Sequence, residues 1–212
     1  MADFTFLRDR MVAEQIEPRG VKDARVLQAM RQVPRERFVD PDYAGYAYED
    51  RPLPVAEGQS IAQPFIVALM AQAAGVKPTD RVLEIGAGSG YGAAVLSELA
   101  GRVWSIERHP RLARIAGSRM AELGRANVTV LRADAAQGWA PAAPFDAIIV
   151  SPGAPASEEA LKMQLGPGGR LVALVGPEAE QRLVRITRAG SGDWREEDLG
   201  SVELASAAHA GG

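Results

Sequence analysis

The sequence predicts an α/β fold with a doubly wound, mostly parallel sheet and an N-terminal helical preface. From Arg81 onward, short apolar runs typical of strands alternate regularly with segments of helical periodicity. Strands that alternate with helices in this way form parallel sheets with helices packed on both faces. A glycine-rich turn, Gly86–Gly90, follows the first of these strands and opens a helix. This is the position at which doubly wound folds hold their ligands.

Three segments precede the alternating part. Residues 5–33 are predicted to form two short helices, because their apolar residues recur at helical spacing until Pro34 ends the pattern. Residues 34–63 are rich in proline, glycine and tyrosine, which disfavours both helix and strand. We expect a long functional loop there. Pro64 suits the first turn of a helix that should run to about Gly75.

The alternating part contains five predicted parallel strands with helices between them. The strands are expected at 82–85, 103–107, 128–134, 145–150 and 170–175, and the helices at 90–100, 110–124 and 157–165. Residues 181–188 alternate apolar and polar side chains, which predicts a half-exposed edge strand. The Gly/Ala-rich tail after Ser206 is expected to be frayed.

Length and composition predict one domain that spans residues 1–212. A chain of 212 residues with 47% hydrophobic residues is long enough for a single well-buried core. Within it, residues 1–64 should carry the helices and an active-site loop, 65–190 a cofactor-binding core, and 191–212 a C-terminal edge strand and tail. We expect this domain to be a monomer.

Charge and residue content exclude several classes of function. A net charge of −3 with scattered arginines disfavours a nucleic-acid partner. The chain has no cysteine and two histidines, so thiolate chemistry is excluded and a metal site is not expected. The N-terminus lacks the apolar core of a signal peptide and no segment is long enough to cross a membrane. The expected location is the cytoplasm.

The spacing of the glycines limits which classes of cofactor the turn can bind. Gly86, Gly88 and Gly90 let a ligand approach the backbone at a helix N-terminus. Dinucleotide folds require a glycine at the sixth position, where this chain has Tyr91, so a nicotinamide cofactor is disfavoured. The Gly-Lys-Ser/Thr ending of a phosphate-binding loop is also absent, which disfavours ATP.

Three acidic residues lie at the predicted ends of parallel strands. Glu107 follows Gly86 by 21 positions (107 − 86), where a carboxylate can accept both ribose hydroxyls of an adenosine. Glu84 and Asp134 should reach the same rim, because ligand crevices lie beyond the carboxyl edge of such sheets. The alternative is that the glycines only form a tight turn and the acids are solvated strand ends or helix caps.

Together with the strands, this turn resembles the cofactor motif of the class I, Rossmann-like S-adenosylmethionine-dependent methyltransferases. Several other segments are similar to the protein-L-isoaspartate (D-aspartate) O-methyltransferase family, and the likeness covers roughly residues 11–185. These segments are Val33–Val39, Tyr46–Tyr48, Pro52–Pro54, Gly58–Pro64, Phe145–Val150 and Gly168–Val172.

The resemblance implies transfer of a methyl group from S-adenosyl-L-methionine to the α-carboxylate of L-isoaspartyl residues in damaged peptides and proteins. S-adenosyl-L-homocysteine would be the other product. The candidate catalytic residue is Ser60, which offers a hydroxyl two residues before the position of the family's active-site serine. The candidate cofactor-binding residues are Gln59, Ser60, Ile61, Ala62, Glu84, Gly86, Gly88, Ser89, Gly90, Glu107, Arg108, Asp134 and Ala135.

The sequence departs from the family pattern on the acceptor side. Ala62 stands where the family has an active-site serine, and Ser60 offers a hydroxyl two residues away, on the same face of an extended segment. Pro152 falls in a segment that is usually rich in alanine, and the family's C-terminal ending is only partly present. Two alternatives therefore stay open: a methyltransferase with another acceptor, and a non-catalytic protein that retains the cofactor pocket.

Overall fold

The computed structural model describes residues 3–177, 180–190 and 192–202, and its centre is a seven-stranded sheet. The sheet strands are β3 (Arg81–Ile85), β4 (Arg102–Glu107), β5 (Val128–Arg132), β6 (Phe145–Val150), β7 (Leu165–Val175), β8 (Gln181–Arg188) and β9 (Trp194–Val202). Their order across the sheet is β5-β4-β3-β6-β7-β8-β9. The chain runs outward from β3 to β5 and then returns to the other side of β3 with β6. Ligands of doubly wound sheets bind at such a reversal.

The parallel half of the sheet confirms the predicted alternation. β3 pairs in parallel with both β4 and β6, and β5 and β7 extend this arrangement on either side. The predicted third strand is shorter than expected, because β5 ends at Arg132 and a new turn begins at Asp134. β7 is longer than expected and starts at Leu165.

The prediction of an edge strand at 181–188 is wrong. β8 pairs antiparallel with β7 on one side and with β9 on the other. Leu183, Val184 and Ile186 are buried, so the apolar alternation of this segment reflects an interior strand that has core contacts. The edge is formed by β9, whose charged residues include the run Arg195–Asp198. The tail after Ser206 lies outside the described residues.

Six α-helices accompany the sheet in the described part of the chain. They are α1 (Phe4–Met11), α2 (Ala24–Gln32), α3 (Pro64–Ala74), α4 (Tyr91–Ser97), α5 (Pro110–Glu122) and α6 (Glu158–Lys162). Asp3 and Asp23 cap α1 and α2 by accepting backbone N–H groups of the first turn. α3 begins at Pro64 and ends at Gly75, whose φ of 56° is left-handed, as predicted. None of these helices is long and apolar enough to cross a lipid bilayer.

The long loop that precedes α3 consists mainly of short turns. Turns of 3-10 helix occupy 35–38, 41–46 and 56–58, and a two-residue hairpin pairs β1 (Leu53–Pro54) with β2 (Ser60–Ile61). Nearer the N-terminus, α1 continues into a π-helical turn at 12–16 and a 3-10 turn at 17–19. The hairpin places the segment after β2 next to the carboxyl edge of the large sheet.

Alternate residues of the parallel strands supply two apolar layers. Val82 and Ile149 point into the layer formed with the N-terminal helices, α3 and α4, whereas Leu83, Ile85 and Ile148 point into the layer with α6. Because both faces are covered, the parallel strands are apolar on each side. Glu84, on the same face as Val82, is an exception to this rule within β3.

Gly90 caps α4 and marks a close approach to α5. Its φ is 91°, and a Cβ atom at this position would lie 3.1 Å from the Cβ of Ala116. Its lack of a side chain therefore allows α4 and α5 to pack closely.

We expect Gly90→Ala to lower the free energy of unfolding by about 2 kcal/mol, because an L-residue with left-handed backbone costs roughly 1–2 kcal/mol and the methyl group also crowds Ala116. Chemical denaturation measures this change. Gly117→Ala is the matched control, since nothing lies within 4 Å of its added Cβ and its backbone is helical. We expect it to stabilise the protein by about 0.5 kcal/mol. Equal effects of the two substitutions would contradict this account of Gly90.

Candidate active site

A cleft opens at the carboxyl ends of β3, β4 and β6, and its empty space, including the part open to solvent, is about 1020 Å³. This edge is where parallel α/β sheets bind their ligands. The walls come from the loop before α3, from α3 itself, from the turns that follow β3 and β4, and from the segment that follows β6. These elements are distant in sequence, and the reversal of strand order brings them together.

The turn after β3 is attached to the neighbouring strand by its backbone. The N–H groups of Gly86 and Ala87 both donate to the carbonyl of Ile106, at 2.9 Å each. Gly86 has a φ of 88°, and a Cβ atom here would lie 2.9 Å from the Cβ of Ala154 and 3.3 Å from that of Ser151. A side chain would therefore push the turn away from the segment after β6. Glycine at this position therefore lets the turn lie directly against the segment after β6.

Glu107, the last residue of β4, holds the next part of the same turn. Its carboxylate accepts the N–H of Gly88 at 2.8 Å and the N–H of His109 at 2.8 Å, one on each oxygen. The side chain is buried but lines the cleft. Because a carboxylate has about four acceptor positions, two remain for hydroxyl groups of a ligand.

Glu84 lies deeper, beneath the first turn of α4. Its carboxyl accepts the hydroxyl of Ser105 on β4, and a Cβ atom on Gly92 would lie 2.1 Å from its Oε1. Gly92 thus provides the space for this side chain. Burial raises the pKa of Glu84 to about 8, although the Ser105 hydrogen bond lowers it, and the nearby charge of Glu107 also raises it. In the ligand-free protein Glu84 is therefore largely protonated at neutral pH.

The loop before α3 forms the wall opposite the glycine turn. Gln59, Ser60, Ile61 and Ala62 all line the cleft. In β2, Ser60 is exposed and Ile61 is buried, so the side chains alternate as in an extended segment. Ala62 follows β2, and that Ser60 and Ala62 face the same way stays a prediction from this alternation.

Most of the predicted site residues meet in this cleft. Those that line it are Gln59, Ser60, Ile61, Ala62, Glu84, Gly86, Gly88, Ser89, Glu107, Arg108 and Ala135. Gly90 lies behind the turn, where it packs against Ala116. Asp134 is exposed and does not line the cleft, because β5 ends two residues before it. The carboxylate of Asp134 accepts the N–H of Ala136 at 3.1 Å. Of the three acidic residues that were predicted to meet at this edge, only Glu84 and Glu107 line the cleft.

The structure adds an apolar wall that was not predicted from the sequence, formed by one face of α3 with Ile66, Val67, Met70 and Ala71. The segment 151–155, whose Pro152 was expected on the acceptor side, also lines the cleft. The segment 151–155 directly follows a parallel strand, so its position at the ligand edge was a usable signal. The apolar side chains of α3 carry no such signal, since they are indistinguishable from core residues.

Comparison with known proteins places this chain among methyltransferases. A family model described as protein-L-isoaspartate(D-aspartate) O-methyltransferase matches residues 7–209. The chain is 54% identical over 195 residues to the protein-L-isoaspartate O-methyltransferase of Protochlamydia amoebophila, covering 92% of this chain and 93% of that one. It is 52% identical over 195 residues to a Rhodopseudomonas palustris protein of the same description, covering 92% and 89%.

Solved structures show the same fold. A protein-L-isoaspartate O-methyltransferase superposes with a TM-score of 0.80 at 27% identity, over 95% of this chain and 66% of that one. A Plasmodium falciparum protein of similar description, in complex with S-adenosyl-L-homocysteine, superposes with a TM-score of 0.77 at 23% identity, over 93% of this chain and 97% of that one.

The raised pKa of Glu84 predicts a specific pH dependence of stability. A carboxyl whose pKa is higher in the folded than in the unfolded protein stabilises the fold fully below the unfolded value, and this contribution is lost as the pH rises towards 8. Since glutamine does not titrate, we expect Glu84→Gln to become steadily more stable relative to wild type between pH 5 and about 8. Denaturant unfolding across this range measures the difference.

Ser105→Ala is the matched variant for this experiment. It removes the hydrogen bond that lowers the pKa of Glu84, so the stability loss should begin at the same pH, continue to a higher pH and become larger in total. A stability difference between wild type and Glu84→Gln that is independent of pH would show that Glu84 is ionised in the folded protein.

Proposed function

The chain belongs to the protein-L-isoaspartate(D-aspartate) O-methyltransferase family and is an S-adenosyl-L-methionine-dependent protein carboxyl methyltransferase, and we propose which of its residues carry the reaction. The acceptor is the α-carboxylate of L-isoaspartyl residues, whose methylation begins the repair of damaged proteins. S-adenosyl-L-homocysteine is the second product. The observation that carries the assignment of residues is the position of Glu107, which lies beside the glycine turn in the cleft and accepts the N–H of Gly88.

The residues of the cleft fit S-adenosyl-L-methionine. Glu107 has free acceptor positions for the two ribose hydroxyls, and Arg108 and Ala135 lie at the end of the cleft next to it. Gly86, Gly88 and Ser89 offer backbone without bulky side chains, and Glu84 lies below them. The segment 59–62 covers the cofactor from the opposite side.

When bound, the cofactor supplies an electrophilic methyl group on a sulfonium centre. The acceptor carboxylate has a pKa near ~4 and is already an anion at neutral pH, so the protein does not need a general base. The chain's task is to hold one carboxylate oxygen in line with the methyl group and to exclude water. The apolar wall of α3 and the segment 151–155 exclude water from this part of the cleft.

Ser60 is the proposed catalytic residue on the acceptor side. Its side chain is exposed to the cleft, and its hydroxyl can donate a hydrogen bond to the substrate carboxylate. Ala62 lies on the same face and cannot make this contact. Backbone N–H groups of the loop offer further donors, so we expect Ser60 to share this role with them.

The proposed unit of function is a monomeric single domain that acts on peptides in the cytoplasm. Residues 1–64 form the acceptor side, 65–190 the cofactor side, and 191–212 the C-terminal part. The net charge of −3 supports a protein rather than a nucleic-acid substrate, because a phosphate backbone requires a dominant basic surface.

The test is methyl transfer to a pair of peptides that differ only in an L-isoaspartyl or a normal aspartyl residue. We expect a base-labile methyl ester on the isoaspartyl peptide and negligible transfer to its isomer. Ser60→Ala should lower kcat roughly 100-fold, the effect of losing one positioned donor. Adding Ala62→Ser to that variant should restore part of the loss, since the new hydroxyl lies on the same face.

Ser201→Ala, an exposed serine of β9, is the control and should leave kcat unchanged. Absence of transfer to the isoaspartyl peptide, with cofactor binding intact, would refute the proposed acceptor. A higher rate with another carboxylate, amine or phenol would then favour the altered-acceptor alternative, which Ala62 and Pro152 motivate. An unchanged kcat in Ser60→Ala would refute the role of Ser60 alone.

A further inference from the structure

Arg35 is completely buried, which is rare for a charged side chain. Its Nε donates to the carbonyl of Ala47 at 2.8 Å, and its Nη2 donates to the carbonyl of Ala62 at 2.8 Å. The guanidinium also lies over the ring of Tyr91, with its Cζ 4.7 Å from the ring centroid. Burial of a cation is costly unless such contacts offset it.

These contacts join two points of the long loop before α3 to each other and to α4. Ala47 and Ala62 both belong to that loop, Ala62 in the cleft wall, and Tyr91 is the first residue of α4. Both Ala62 and Tyr91 line the cleft, whereas Arg35 lies behind them. The guanidinium therefore links the loop on the acceptor side to the helix that follows the glycine turn.

The contacts of the guanidinium indicate that Arg35 connects these elements and does not serve mainly to neutralise an acidic side chain. Among the described residues, Arg35 forms no ion pair with an acid, and the carboxylate of Asp50, whose charge acts on Arg35, pairs with Arg19 instead. The hydrogen bonds of Arg35 go to two backbone carbonyls, one of them in the cleft wall, and its remaining polar contact is with the side chain of Tyr91.

We propose that Arg35 is a positioning residue for methyl transfer, which holds the carbonyl of Ala62 and thereby fixes the segment 59–62 over the reacting groups. This proposal rests on the proposed function. A lysine cannot reproduce the arrangement, because its ammonium lacks the planar fork that reaches two carbonyls at once. A displacement of about 1 Å in reacting groups costs roughly 100-fold in rate.

The test is Arg35→Lys, with Arg170→Lys as the matched control. Arg170 also binds two backbone carbonyls, those of Ala74 and Gly75, but it lies outside the cleft. We expect Arg35→Lys to lower kcat roughly 100-fold at a temperature where it is fully folded. The dissociation constant of S-adenosyl-L-homocysteine and the KM of the peptide should stay within about threefold of wild type, because Glu107 and the glycine turn are untouched.

Arg170→Lys should change thermal stability and leave kcat within about twofold of wild type. An unchanged kcat in Arg35→Lys would overturn the proposal. So would an equal loss in both variants, or a defect confined to cofactor affinity or peptide KM. A merely structural Arg35 predicts the first two patterns, because it would act on the folded fraction alone, whereas a defect confined to affinity would mean that Arg35 acts on binding.

A second measurement uses the wild-type protein, so it tests the proposal even if the Arg35→Lys variant does not fold. Hydrogen exchange of the Nε–H groups of Arg35 and Arg170 can be followed by nuclear magnetic resonance, without and with S-adenosyl-L-homocysteine. We expect the ligand to slow exchange at Arg35 on the order of tenfold and to leave Arg170 unchanged, because only Arg35 supports a wall of the cleft. No slowing at Arg35, or equal slowing at both arginines, would overturn the proposal. Because this experiment requires no methyl transfer, its result tests the role of Arg35 separately from the proposed function.

Discussion

The carboxylate of Glu107 joins the elements on which the cleft depends. One oxygen accepts the N–H of Gly88 in the turn after β3, and the other accepts the N–H of His109 at the start of α5. Together with the bonds from Gly86 and Ala87 to the carbonyl of Ile106, this ties the glycine turn to the end of β4. Hydrogen bonds to a charged acceptor are stronger than neutral ones and offset part of the cost of burying it. Two acceptor positions of the same carboxylate stay free, and we propose that they bind the ribose hydroxyls of the cofactor.

The rest of the site is arranged around an acceptor that needs orientation more than activation. A substrate carboxylate is a nucleophile without help from a base, and Glu84 in this cleft is largely protonated at neutral pH. In the proposed site, Arg35 and the segment 59–62 act on the acceptor side, whereas Glu107 and the glycine turn act on the cofactor side. Departures from the family pattern, such as Ala62, fall on the acceptor side.

Much of this arrangement follows from local sequence patterns. The parallel strands, the turn at 86–90 and the position of Glu107 are set by periodicity and glycine spacing within about 30 residues, and the sequence predicted them. Contacts between distant segments were not predictable in this way. Asp134 leaves the site because β5 ends early, and β8 is an interior strand because β9 pairs with it, which only the assembled sheet decides. The role of Arg35 depends on Ala47, Ala62 and Tyr91, which meet only in the folded chain.

The central claim, that Glu107 holds the cofactor, is tested most directly by the affinity of S-adenosyl-L-homocysteine for Glu107→Gln, measured by calorimetry. The amide cannot accept both backbone N–H groups and the ribose hydroxyls as the carboxylate does, so the account predicts a dissociation constant raised roughly 10- to 100-fold. Asp134→Asn, the acid at the end of the next loop, should bind as wild type. Equal affinities of Glu107→Gln and wild type, or a loss of affinity in Asp134→Asn instead, would contradict the account.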